Sequence, residues 1–162
     1  MTKDLIERLR MRPSVMYGSA CKKGVIEAIR STAGNLMRQS GNTKVWLDEE
    51  GYINVKSFDS SINLLRQWRD YDNTEEINKT PSEKELISAV SEHMICSVRI
   101  RGSAENIVER TEYIEGIRIK NEIKISQTEV NDTIHLKFKL SHQVFNYDTI
   151  TEEDLNFIQI GE

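Results

Sequence analysis

The stretch LIERLRMRPSVMYGS, residues 5–19, decides how the chain is read. Arg8, Arg10 and Arg12 alternate with Leu9 and Met11 up to Pro13, and Met16-Tyr17-Gly18-Ser19 follows. The segment is too basic for a core and too specific in texture for a tail. Leu5, Ile6 and Leu9 stand at helical spacing, which predicts a helix over residues 3–11. Pro13 ends it, because the ring lacks an N–H and clashes with the preceding turn.

Outward from that stretch, Val25, Ile26, Ile29, Ala33, Leu36 and Met37 form one stripe of a helix from about Lys22 to Gln39, stopped by Gly41-Asn42. KVWLDEEGYINVKSF, residues 44–58, predicts a hairpin turning at Glu50-Gly51. SSINLLRQW adds a helical turn carrying Ile62, Leu65 and Trp68, and residues 69–80 read as a polar loop. Ser82 and Glu85 form a capping-box pattern opening a helix with an apolar face of Leu86, Ile87, Val90 and Met94. Four alternating segments follow as strands: ICSVRIRG, NIVERTEYIEG, IRIKNEIKIS and DTIHLKFKL, with reversals at Gly102 and Gly116. Thr151 and Asp154 start a short terminal helix. Helices early and strands late predict an α+β fold, a two-layer sandwich with helices packed on one face of a mostly antiparallel mixed sheet.

With 162 residues, 38% of them hydrophobic and 30% charged, the chain reads as a single domain, residues 1–162, with a core of its own. No apolar run reaches the roughly 20 residues that span a bilayer, so no membrane is expected. The N-terminus is charged and helix-patterned, without an apolar stretch ahead of a cleavage site, and a cytoplasmic location is expected. Cys21 and Cys96 are far apart and read as two reduced thiols. The net charge of −4 conceals an asymmetry: residues 1–47 hold nine Lys/Arg against three Asp/Glu. That basic front is a candidate partner-binding surface, with Arg8, Arg10, Arg12, Tyr17, Lys22 and Lys23 as its residues. His93, His135 and His142 show no metal-ligand spacing, and Trp46 and Trp68 sit in apolar patterns that suit packing.

LRMRPSVMYGS resembles the VRKRPGMYIGS segment that begins the ATPase domain of type II topoisomerases of the gyrase B kind, the GHKL-type ATPases. Three further segments agree in order. ISAVSEHMICSVRIRG stands where that family has a helix ending like NALSEWLEV, IVERTEYIEG resembles YRQEFERG, and DTIHLKFKLSHQVF lies well against GTTIRFWPDPEIF. The resemblance implies a helix-on-sheet sandwich with ATP held between the layers. It also implies a domain that dimerises partly through its N-terminal arm. The family's second domain, which carries a lysine to the phosphate, has no counterpart in these 162 residues.

Position by position, the resemblance also implies losses. Gapless counting from Gly18-Ser19 puts Ser31 where the family has its water-activating glutamate and Asn35 where it has the Mg²⁺-holding asparagine. A serine hydroxyl is not ionised at neutral pH and cannot act as a carboxylate base, a loss of about 10²–10⁴-fold in rate. Glu27 sits one turn too early. The adenine-reading aspartate of DNGRG falls at Ser57 in SFDSS, or at Asp59 after a two-residue slip, and no glycine follows. The phosphate-wrapping GGLHGVG corresponds to INKTPSEKE, residues 77–85, which has no glycine and carries Glu83 and Glu85, partly offset by Lys79 and Lys84. The threonine that supports adenine recognition falls at Thr133 or Ile134.

The expectation is therefore a non-catalytic pseudo-ATPase module acting through a protein partner or as a homodimer, with no cofactor. One alternative is a residual ATPase using Glu27 or Asp59 in new roles, in which Asn35 would bind ATP and Mg²⁺. The other is a nucleic-acid-binding protein using the basic N-terminal region.

Overall fold

A computed structural model describes residues 1–69, 81–128 and 130–160. Most of the polar loop expected at 69–80 lies outside the described residues.

Helix α1 (Lys3–Met11) is capped by the Thr2 hydroxyl, which accepts from Leu5 N–H. Pro13 does more than end it. It opens a second short helix, α2 (Pro13–Tyr17), from the first helical position, where a missing N–H costs nothing and a fixed φ helps. Helix α3 (Lys22–Met37) buries Val25, Ala28, Ile29, Thr32, Ala33 and Leu36 as one face, as the periodicity predicts. Gly24, in its first turn, is packed so closely on the Ser19 carbonyl that a side chain there would collide with it.

Strands β1 (Asn42–Leu47) and β2 (Ile53–Phe58) form the expected hairpin, with Gly51 at φ +83° in its turn. Helix α4 (Ile62–Trp68) follows, capped by Ser61, whose hydroxyl accepts from Leu64 N–H. Helix α5 (Glu83–Ala89) opens with the capping box: Ser82 Oγ accepts from Glu85 N–H, and Glu85 accepts from Ser82 N–H. It is shorter than expected, because Ser91-Glu92-His93-Met94 already belongs to strand β3 (Ser91–Ile100). Met94 lines the core from the sheet rather than from the helix.

Strands β4 (Asn106–Ile114), β5 (Ile117–Ser126) and β6 (Thr133–Leu140) complete a six-stranded sheet of order β1-β2-β6-β3-β4-β5. Every pairing between these six strands is antiparallel. The register aligns Val45, Val55, Leu136, Cys96, Thr111 and Asn121 in one row across all six strands. Four members of this row are apolar and buried, and the row turns polar toward the β5 edge. The row lies on the face covered by α3, α4 and α5. The opposite face is polar: Lys137 bridges Asp48 and Glu50 at 3.4 Å each, and His93 lies 2.7 Å from Glu112 and 2.8 Å from the Tyr52 hydroxyl. Helix α6 (Glu152–Ile160), capped by Thr151 and Asp154, packs beside β1, where Glu152 accepts from Leu47 N–H.

Candidate functional site

Helix α3 presents Ser31 and Asn35 one turn apart, toward α4 and α5. Asn35 Oδ1 accepts a hydrogen bond of 3.1 Å from the indole Nε1–H of Trp68. That indole is 1% exposed and packs in the core with Leu64 and Leu65 of the same helix. At the other end of the residue, the Trp68 carbonyl accepts from the Cys96 thiol of β3 at 3.6 Å. Trp68 thus touches the long helix through its buried indole and the sheet through its carbonyl. An indole is a large apolar group with one donor, and it buries well only where that donor finds an acceptor. Asn35 supplies it.

One turn earlier on α3, Ser31 Oγ donates to Glu83 Oε1 at 2.9 Å, and Thr32 Oγ1 lies 3.5 Å from the same oxygen. Glu83 is the first residue of α5, so its carboxylate sits where the helix dipole favours negative charge. Glu85 completes the cap, and the first turn of α5 is satisfied by its own acidic side chains. Lys84 is buried over the Tyr113 ring, 5.6 Å from its centre. The Tyr17 phenol is buried near Glu83 with no hydrogen-bond partner among the described residues, and burial first, then the Glu83 charge, pushes its pKa far up.

The third wall is made by β2 and β6. Ser57 is fully buried, and its hydroxyl lies 2.6 Å from that of Ser60. Asp59, the alternative for the aspartate position, is exposed in a left-handed turn at φ +51°. Thr133 and Ile134 are buried in β6, with Ile134 paired to Ser57 across the sheet. Glu27, the one carboxylate on α3, pairs with Arg30 at 3.1 Å.

The residues of the basic front have different surroundings. Arg10 turns inward, donating to the Ala89 carbonyl at 2.8 Å and to Ser141 Oγ at 3.2 Å, with Glu115 3.7 Å away. Lys22 pairs with Asp154 at 3.0 Å, at the start of α6. Tyr17 is buried, whereas Arg8, Arg12 and Lys23 are exposed. Hollows of about 560, 630 and 470 Å³ open on the surface, the second against Arg69 and the α5 start at Ser82, Lys84 and Glu85, and none of these has Ser31, Asn35 or Ser57 in its lining. No group of three potential metal ligands occurs among the described residues. Nor is any described helix long and apolar enough to cross a membrane.

Two residues that define this region, Trp68 and Glu83, were expected as packing and as a phosphate-repelling charge, not as partners of Asn35 and Ser31. Each contact joins residues more than thirty positions apart, and local patterns carry no signal of it.

Helices on one face of an antiparallel sheet, with a strand hairpin between the long helix and the second core helix, define the gyrase B-like ATPase fold. Among the solved structures that share it are two of gyrase B. The 43K ATPase domain of Thermus thermophilus gyrase B, in complex with an aminocoumarin, superposes with a TM-score of 0.70 at 12% identity, covering 93% of this chain and 43% of that one. The B-subunit of the DNA gyrase from Myxococcus xanthus superposes with a TM-score of 0.66 at 12% identity, covering 94% of this chain and 48% of that one. The chain thus spans less than half the length of either. At this identity the likeness is one of fold. No protein-family model matches the sequence, and no curated protein matches it.

Proposed function

We infer that this chain is a non-catalytic, cytoplasmic module of gyrase B-like fold that neither binds nor cleaves ATP and acts by binding protein. The observation that carries this reading is the buried Trp68 indole, hydrogen-bonded to Asn35 of α3. A nucleotide entering there would have to displace a fully buried side chain worth about 1.5–3 kcal/mol or more of burial, and break its hydrogen bond. Ser31 and the glycine-free, glutamate-bearing start of α5 support the same reading. An added triphosphate would meet the Glu83 carboxylate instead of a backbone cradle.

Thermal denaturation with and without Mg-ATP tests this. A bound ligand at a hundred times its dissociation constant adds about 2.7 kcal/mol, a clear rise in Tm. No rise with any nucleotide, and no phosphate release, is the expected result. A rise that saturates with ATP overturns the reading.

One observation favours a second reading, residual nucleotide handling: the Glu83 carboxylate lies 2.9 Å from Ser31 Oγ, returning an acid to the region where the resemblance lacks one. ATP hydrolysis abolished by Glu83→Gln is the result that would establish it.

A further inference from the structure

The two edges of the sheet are finished differently. At the β1 edge, α6 lies alongside, and Glu152 takes up the Leu47 N–H. At the other edge, no described strand pairs with the outer side of β5. Open edges invite pairing, and proteins normally blunt them. Here Ile119, Ile123 and Ile125 are instead 51%, 48% and 57% exposed along that edge.

The sequence of β5 is nearly its own mirror about Asn121. Ile119 and Ile123 stand two residues to either side of it, and Lys120 and Glu122 one residue to either side. Two copies of β5 laid antiparallel about a two-fold axis normal to the sheet at Asn121 keep matching faces together. Lys120, which also lies 2.9 Å from Glu122 of its own strand, then meets Glu122 of the second copy, twice, while Ile119, the extra residue at the register irregularity in β5, stays outside the pairing and Ile123 meets Arg118 instead. Unlike charges directly opposite each other stabilise a sheet, whereas like charges disfavour it.

In a regular strand Arg118 would face Lys124, and the pair would be such a clash. The register irregularity between Glu112 and Tyr113 removes it. Ile119 is the extra residue there, so Arg118 pairs with Tyr113 on the helix-covered face, while Lys124 pairs with Val108 on the other. A bulge that would ordinarily protect an edge thus sets the two cations on opposite faces.

We propose that β5 pairs with β5 of a second copy of this chain, forming an antiparallel two-fold dimer centred on Asn121 with one continuous sheet across both chains. A two-fold pairing uses up both free β5 edges, and α6 lies beside β1, so the assembly closes at two. The inference deepens the reading of this chain as an interaction module by naming one partner and its surface. It does not depend on the fate of the nucleotide site.

The test is sedimentation equilibrium of the full chain at high micromolar concentration. A species of twice 18.7 kDa is expected. Lys120→Glu sets acid against acid, and Glu122→Lys sets base against base. Each raises the dissociation constant about tenfold or more. Mixing the two variants restores association, because both 120–122 charge pairs in the mixed dimer are again complementary. Within the chain Lys120 faces Glu112 and Glu122 faces Arg110, so each swap also weakens the β4–β5 pairing, and circular dichroism has to show each variant folded before its association is compared. A monomeric parent, or a mixture no more associated than its components, overturns the proposal. A monomer that fails to bind ATP would remove this dimer and leave the loss of the nucleotide site standing. A dimer that binds ATP would do the reverse.

Discussion

The indole N–H of Trp68 donates to the side-chain carbonyl of Asn35 across 3.1 Å, joining α4 to α3 over a gap of 33 residues in sequence. The position that the family resemblance reserves for Mg²⁺ here holds a helix in place. Trp68→Ala should cost about 3–5 kcal/mol, the usual range for emptying a large buried site. Asn35→Ala should cost about 1–3 kcal/mol, because it strands a buried donor. In a Trp68→Phe background, where there is no N–H to strand, the same Asn35→Ala change should cost much less. Urea denaturation of the four proteins measures the coupling, and strictly additive costs would mean that the hydrogen bond contributes nothing.

Glu83 ties α5 to α3 through Ser31 and also sits on the positive end of its own helix. Losing both effects in Glu83→Ala should lower stability by about 1–2 kcal/mol. Glu83→Gln keeps an acceptor for Ser31 and should cost less. Equal costs for the two substitutions would show that the charge, not the hydrogen bond to Ser31, matters.

Arg10 is a structural residue in this fold. Its two-pronged guanidinium reaches the end of α5 at Ala89 and the turn after β6 at Ser141 together, with its side chain 15% exposed. Lysine offers a point charge and cannot span both acceptors. Arg10→Lys should therefore cost nearly as much as Arg10→Ala, about 1.5–3 kcal/mol, while Arg8→Ala and Arg12→Ala at exposed positions stay within about 0.5 kcal/mol. Comparable losses at all three would argue that the N-terminal arm is stabilised by its net charge.

His135 gives the fold a pH dependence. Its Nε2–H donates to Asn54 Oδ1 at 2.9 Å, and its ring stacks on Trp46. Burial first, then the positive charges of Lys56, Arg99 and Lys137, hold its pKa below the ordinary histidine value, with Asp48 acting weakly the other way. The unfolded chain therefore takes up this proton more readily than the folded one. Stability is full above about pH 6.5 and falls as the pH drops from there through the folded-state pKa. Denaturation between neutral and mildly acid pH should show the decline, and His135→Gln should flatten it. An unchanged slope in the variant would assign the dependence to other groups.

Much of the fold was legible because its signals are local. The Ser82–Glu85 capping box, the apolar stripe of α3 and the alternation of β4 to β6 each depend on residues within a turn or a strand of one another. Two local readings shifted. Pro13 suits the first position of a helix as well as the end of one. Ser91-Glu92-His93-Met94 fits helix or strand, and pairing with β4 and β6 draws it into the sheet. The region around Asn35 was legible only in what it lacks. The absent carboxylate at Ser31 and the absent glycines before α5 can be counted along the chain. The Trp68 and Glu83 contacts in the same region are made by folding and leave no local pattern.

On the proposed reading, the region beside Asn35 belongs to Trp68 and not to a nucleotide. Isothermal titration of the full chain with Mg-ATP decides between the two. No saturable heat is expected at any ATP concentration up to the millimolar range. Saturable micromolar binding that is weakened by Asn35→Ala would contradict that reading.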